Sequence, residues 1–217
     1  MTGALAVPLH AVATPVSAAV AGLVGLLGLH AWRWSRLPLA IRSRDQSAPW
    51  RLLQGAAWMA LGLLVGLLLL GVIRIVIEPV IPAMGARIAT AGALPVWRRV
   101  LVIYVAAVGE EVLFRLVLFS LVAGLAARLL RAPSPMPGPA IIWVANIVSA
   151  LVFAAAHLPS WSGAGSQSPW LLVSVLALNA AGSVVFGYVF ATRGIVAAML
   201  THAGADCAIQ LIGPITG

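Results

Sequence analysis

Apolar residues run along this chain in blocks too long and too uniform for the single buried face of a soluble helix. Residues 11–32, 52–73, 96–130, 140–158, 170–191 and 195–212 are each dominated by Ala, Val, Leu, Ile and Gly. A helix needs about 20 such residues to cross the hydrocarbon core of a bilayer. The pattern therefore predicts six spans. Gly22, Gly25 and Gly28 in the first, and Gly62 and Gly66 in the second, are placed for close helix packing. Residues 78–97 break the pattern with Pro79, Pro82, Pro95 and Arg87 and read as an interfacial or re-entrant segment. Counted as a span, that segment would make seven. Pro159 closes the fourth span, the run PSPMPGP at 133–139 makes a stiff loop, and 159–169 is a charge-free loop rich in Ser and Gly. The expected fold is all-α, a polytopic transmembrane bundle of six or seven helices. Residues 1–95 would supply N-terminal helices and the interfacial segment, and 96–213 a core.

Composition sharpens this picture. Of 217 residues 62% are hydrophobic and 8% are charged, where a soluble domain carries about 25% charge. A soluble globule, a disordered chain and a disulfide scaffold are excluded. The net charge of +8 comes from 13 basic residues, all arginine. They form no polar face that would suit nucleic acid. Most sit at the ends of apolar runs, where headgroups and the positive-inside rule account for them. The first is Arg33, so the N-terminus lacks the basic region of a signal peptide. Residues 33–51 hold Arg33, Arg36, Arg42, Arg44 and Arg51 against Asp45, which assigns that segment to the cytoplasm and the N-terminus to the outside. With six spans, inside loops hold eight arginines and outside loops three, Arg87, Arg98 and Arg99; with seven the count is seven to three. Charge does not choose between the two; the prolines favour six. The lone Cys207 excludes an internal disulfide and reads as a buried, inert thiol.

The chemistry lies in ionisable residues inside the apolar runs, where each costs several kcal/mol and is a functional suspect. Glu111 and Arg115 are four apart, so they share a helix face and can pair, with a bidentate contact expected to fix their geometry. Glu110 lies about 100° around the helix from Glu111 and is free to face something else. Phe153 and His157 are four apart, as are His202 and Asp206, with small residues between the latter two. Each motif alone has a bland reading: a buried ion network, a helix-end histidine bonded to a carbonyl, a self-satisfied His–Asp pair. Together they bring two histidines and two unpaired carboxylates into a chain with few other intramembrane polar groups. Convergence on one cavity satisfies them all. Such a site suits hydrolysis, with Glu110 as general base, His157 holding the water, and His202 with Asp206 stabilising the oxyanion.

The order EExxxR, FxxxH, HxxxD on separate membrane helices resembles the CPBP intramembrane proteases, which include CAAX-prenyl endopeptidases and bacteriocin-processing or immunity (Abi) proteins. The resemblance rests on Glu110, Glu111 and Arg115, on Phe153 and His157, and on His202 and Asp206, and covers residues 96–212. It implies a protease core at 96–213, water activated by Glu110 with His157, an oxyanion site at His202, and a structural role for Glu111, Arg115 and Phe153. Where the eukaryotic enzymes have Asn, this chain has Asp206. An ionised Asp cannot donate to an oxyanion, so Asp206 is neutral in its apolar site, or orients His202, or ligates a metal. Glu110, His157, His202 and Asp206 could together fill a zinc site, but HExxH is absent. Zinc is left open, with a metal-free glutamate mechanism favoured.

The expected partners are the bilayer and a membrane-anchored protein or peptide substrate. The Arg-only basicity and Ala/Leu/Gly bias suggest a bacterial inner membrane, where C-terminal sorting signals of surface proteins (the myxosortase type) are the candidate substrate. Two other classes stand beside the protease: a non-catalytic immunity protein, and a small proton-coupled transporter, which the lack of sequence repeats disfavours.

Overall fold

A computed structural model describes residues 15–35, 37, 48–130, 137–162 and 168–216. Within them there are seven helices and no strand. They are α1 (Pro15–Ser35), α2 (Ala48–Val72, extended by a π-helical turn Ile73–Ile77), α3 (Pro82–Gly92), α4 (Val96–Leu129), α5 (Pro139–Ser162), α6 (Pro169–Arg193) and α7 (Ile195–Cys207, continued to Ile215). Most of the arginine-rich segment 33–51 and of the run 133–139, and the middle of the loop 159–169, lie outside the described residues, as does His10.

Five helices are long and apolar enough to cross a membrane: α2, α4, α5, α6 and α7. α1 adds 21 residues whose Leu23, Leu26 and Leu27 are exposed, as lipid-facing side chains are. α3 has 11 residues, a rise of about 16 Å and roughly half the hydrocarbon thickness. It starts at Pro82, where a missing N–H costs nothing, and buries Met84, Ile88 and Ala91. The prolines thus produce a short helix at one end of the bundle rather than a span. The protein is an integral, multi-pass membrane protein.

Close packing is concentrated on α2 and α7, the most extensively paired elements. A Cβ at Gly62 would overlap the Thr201 carbonyl oxygen, one at Gly66 the Ala205 carbonyl oxygen, and one at Gly204 the Met59 carbonyl oxygen. The two backbones touch, which only glycine permits. The first helix corrects the sequence expectation. Gly22 and Gly25 meet nothing within 4 Å, and only Gly28 packs, against Leu116 and Val117. Glycine spacing alone does not say which face meets a neighbour.

Two further boundaries differ from expectation. α4 is continuous, but Val112–Phe119 is wound as a π-helix. The Ser120 N–H reaches back to the Arg115 carbonyl, and Ser120 Oγ donates to the same oxygen at 3.2 Å. Such segments are rare and are often found at functional sites. α5 continues past Pro159 to Ser162; Ser160 Oγ donates to the His157 carbonyl at 2.8 Å and helps hold the last turn. At the same end of the bundle Arg74 donates to the Gly213 carbonyl at 2.6 Å and to Glu78 Oε2 at 2.6 Å. Arg99 donates to the Gln210 carbonyl at 2.9 Å. Cations on the open carbonyls at the end of α7 satisfy groups the helix leaves unpaired.

Candidate active site

The three motifs come from α4, α5 and α7 and meet around one cavity of about 340 Å³. Glu110, Phe153, His157, His202 and Asp206 all line it. Its other walls come from α2 (Leu69, Ile73), α3 (Met84, Arg87, Ile88) and α6 (Leu178, Asn179, Phe186).

Glu111 and Arg115 stand behind this cavity, both with fully buried side chains. They pair as their spacing predicts, but not bidentately. Arg115 Nε donates to Glu111 Oε2 at 3.2 Å. Its remaining nitrogens go elsewhere, to Ser149 Oγ on α5 at 2.8 Å and to Ser183 Oγ and the Ser183 carbonyl on α6 at 2.6 and 3.0 Å. Ser149 Oγ in turn donates to the Phe114 carbonyl at 2.6 Å. One guanidinium ties α4, α5 and α6 together because four acceptor atoms, from Glu111, Ser149 and Ser183, lie within its reach, and a charge without water needs several.

The other oxygen of Glu111 holds His202. His202 Nδ1 lies 3.0 Å from Glu111 Oε1; a carboxylate only accepts, so Nδ1–H donates and the tautomer is set. Phe186 stacks on the imidazole at 4.6 Å and 15°, and Phe153 meets its edge at 5.9 Å. His157 is oriented by the same logic. Its Nδ1 donates to the Phe153 carbonyl at 2.8 Å, and its ring lies 4.6 Å from that of Phe153. Both rings therefore turn Nε2 toward the cavity.

What faces those nitrogens is Glu110, with Oε2 at 3.7 Å from His202 Nε2 and 4.0 Å from His157 Nε2. Asp206 Oδ2 lies 3.7 Å from the same His202 nitrogen. All three separations exceed a direct hydrogen bond. The side chain of Glu110 is 32% exposed where that of its neighbour Glu111 is 0%. The 100° step between adjacent helix positions puts one carboxylate in the cavity and the other in the protein interior.

These observations coincide with a family match. The model described as Type II CAAX prenyl endopeptidase Rce1-like matches residues 92–208, more than half of the chain. The chain belongs to this family. No curated protein and no solved structure matches it. Membership in the Rce1-like family makes it a CAAX-type intramembrane protease at the family level, with a membrane-associated protein as its substrate and the bilayer as its environment. The matched segment begins within α3 and ends beside Asp206, so it contains every motif residue singled out from the sequence.

The sequence reading missed several contacts of this cluster. Glu111 rather than Asp206 carries the hydrogen bond to His202. Ser149, Ser183 and Phe186 were not foreseen, because a serine in an apolar helix usually bonds its own backbone and carries no signal. Cys207 is only partly buried. Among the described residues no three His, Cys, Asp or Glu side chains have the arrangement of a metal site, although two imidazoles and two carboxylates are a donor set that zinc accepts.

Proposed function

We propose that the chain is an intramembrane endopeptidase in which Glu110 activates the water. The observation that carries this reading is Glu110 Oε2 facing the Nε2 atoms of His157 and His202 at 4.0 and 3.7 Å in a shared cavity. A water between them gives its proton to the Glu110 carboxylate while the lone pair of His157 Nε2 orients it. The resulting hydroxide adds to the scissile carbonyl. Because His202 Nδ1–H is held by Glu111, His202 offers an Nε2–H to the oxyanion as the imidazolium. Asp206, beside that nitrogen, balances the imidazolium charge, a role that needs no donated hydrogen bond. Collapse breaks the C–N bond, and protonated Glu110 returns its proton to the leaving amine. Glu111 and Arg115 position these groups from behind the cavity, and Phe153 supports both imidazoles from its wall. In this scheme residues 96–213 are the catalytic core and the segment 1–95 supplies one wall and the packing partner of α7.

The substrate in this reading is a membrane-tethered polypeptide cut near its anchor. The cavity lies at the end of the bundle that holds α3 and the C-terminal turns of α5 and α7. Six spans with eight arginines on the opposite side direct that end outward from a bacterial inner membrane. This favours C-terminal sorting signals of surface proteins, the myxosortase type, over cytoplasmic prenylated tails.

The test is cleavage of a membrane-anchored reporter in proteoliposomes by wild type and Glu110→Gln, with mass spectrometry of the products. In cells, the uncut signal should persist in Glu110→Ala. Normal processing there would remove the catalytic reading and favour a non-catalytic immunity protein. Loss of activity with chelator and its recovery with zinc would replace the glutamate mechanism with a metal-dependent one.

A further inference from the structure

One charged residue in the cavity has no part in the chemistry above. Arg87, on α3, lines the same cavity as Glu110 and His157. Its guanidinium lies 4.4 Å over the ring of Trp161, at the end of α5. The other arginines that reach into this part of the bundle each donate to protein acceptors: Arg74 to Glu78 and Gly213, Arg99 to Gln210, Arg115 to Glu111, Ser149 and Ser183. Arg87 has no hydrogen bond or ion pair among the described residues. Its contact with Trp161 uses the ring face and leaves its N–H groups available. Partial burial without a carboxylate partner pulls it below the ordinary arginine value.

The rest of the wall restricts what would meet this fork. Most of it is apolar, with Leu69, Ile73, Met84, Ile88 and Leu178, and its remaining polar side chains, Ser160, Asn179 and Gln210, are uncharged. An occupant of the cavity therefore meets acids and imidazoles, an unpaired cation and a largely hydrocarbon wall. An apolar peptide carrying one carboxylate matches that distribution. A planar guanidinium binds a carboxylate bidentately, and part-exclusion of water strengthens the pair.

We propose that Arg87, held by Trp161, is a specificity-determining residue that binds a carboxylate of the peptide lying in the cavity. The peptide's terminal carboxylate and an acidic side chain share this chemistry, and the experiment separates them. The inference rests on the protease reading for the identity of the occupant.

The test is binding, so that it does not depend on turnover. The full chain carrying Glu110→Gln is reconstituted in phosphatidylcholine vesicles with Arg87 intact, with Arg87→Gln, or with Arg87→Met. Arg87→Met keeps an aliphatic stem over Trp161 and serves if Arg87→Gln does not accumulate. Thermal stabilisation is titrated with N-palmitoyl-tetraalanine bearing a free carboxylate, with its C-terminal amide, and with an amide whose third residue is Glu. With Arg87 present, a carboxylate probe should reach half-saturation at about tenfold lower concentration than the neutral amide, as expected for a charge-assisted pair. Without Arg87 that advantage should fall to within about twofold. Preference for the free acid assigns the terminal carboxylate; preference for the Glu amide assigns a side chain. Equal binding of all three probes overturns the inference. So does an advantage that survives in both Arg87 variants, or an Arg87-dependent stabilisation seen only with phosphatidylglycerol vesicles, which would assign the cation to lipid phosphate. Carboxylate preference with no cleavage of any peptide by the wild-type chain would remove the protease reading and leave the anion subsite. Cleavage without carboxylate preference would do the reverse.

Discussion

Glu110 and Glu111 are neighbours in sequence and opposites in environment. Glu111 is dry and saturated: Arg115 occupies one oxygen, His202 the other, and Arg115 is in turn anchored to α5 and α6. Glu110 is partly open and faces two ring nitrogens at more than hydrogen-bond distance. The contrast separates two uses of a buried charge. A saturated charge has one arrangement and holds helices in register. An unsaturated one beside a cavity can take up a proton and give it back. The two sides are joined through His202, whose Nδ1 belongs to the dry network and whose Nε2 belongs to the cavity.

Breaking the cavity side alone should give the largest effect. Glu110→Gln is expected to lower the cleavage rate by about 10²–10⁴, the usual range for loss of a general base, with little change in thermal stability. Equal activity of this variant in proteoliposomes would sink the catalytic assignment. Breaking the dry side should hit folding first. Glu111→Gln leaves the Arg115 charge unpaired in the interior and should destabilise the protein by about 3–5 kcal/mol. It should also lower the activity of whatever protein remains folded, because His202 loses its orienting carboxylate. A fall in activity with unchanged Tm would mean that Glu111 takes part in the chemistry rather than supporting it.

A smaller effect is expected where no charge is involved. Gly204→Ala drives a methyl group into the α2 backbone and should destabilise the bundle by about 1–3 kcal/mol. Gly22→Ala, which meets open space, should leave the Tm unchanged or slightly raised. Comparing the two in detergent melts separates glycines that pack from those that only look as if they do. A single lost hydrogen bond sharpens the comparison. Ser149→Ala removes one of the acceptors around Arg115 and should lower stability by about 1–2 kcal/mol. Activity should persist, since Ser183 and Glu111 still hold the guanidinium.

Much of this site was legible in the linear sequence. Glu111 with Arg115, Phe153 with His157, and His202 with Asp206 are each four apart, and helix geometry alone puts each pair on one face. Ionisable residues inside apolar runs mark themselves, because lipid makes them costly. Ser149, Ser183 and Phe186 were invisible for the converse reason, since serine and phenylalanine are ordinary in such helices. Arg87 was visible as a charge but read only as part of an interfacial segment, because nothing local placed α3 against the cavity.

The sequence by itself determined the solvent, the helices and the residues that must find polar company, since hydrophobic length and periodicity are properties of local stretches. The tertiary structure alone decided which partner each polar group took. That Glu111 rather than Asp206 holds His202, that Gly62 packs and Gly22 does not, and that Arg87 stands over Trp161 all depend on how the helices are rotated against one another. Helix rotation is set by packing across the whole bundle, and no single segment encodes it.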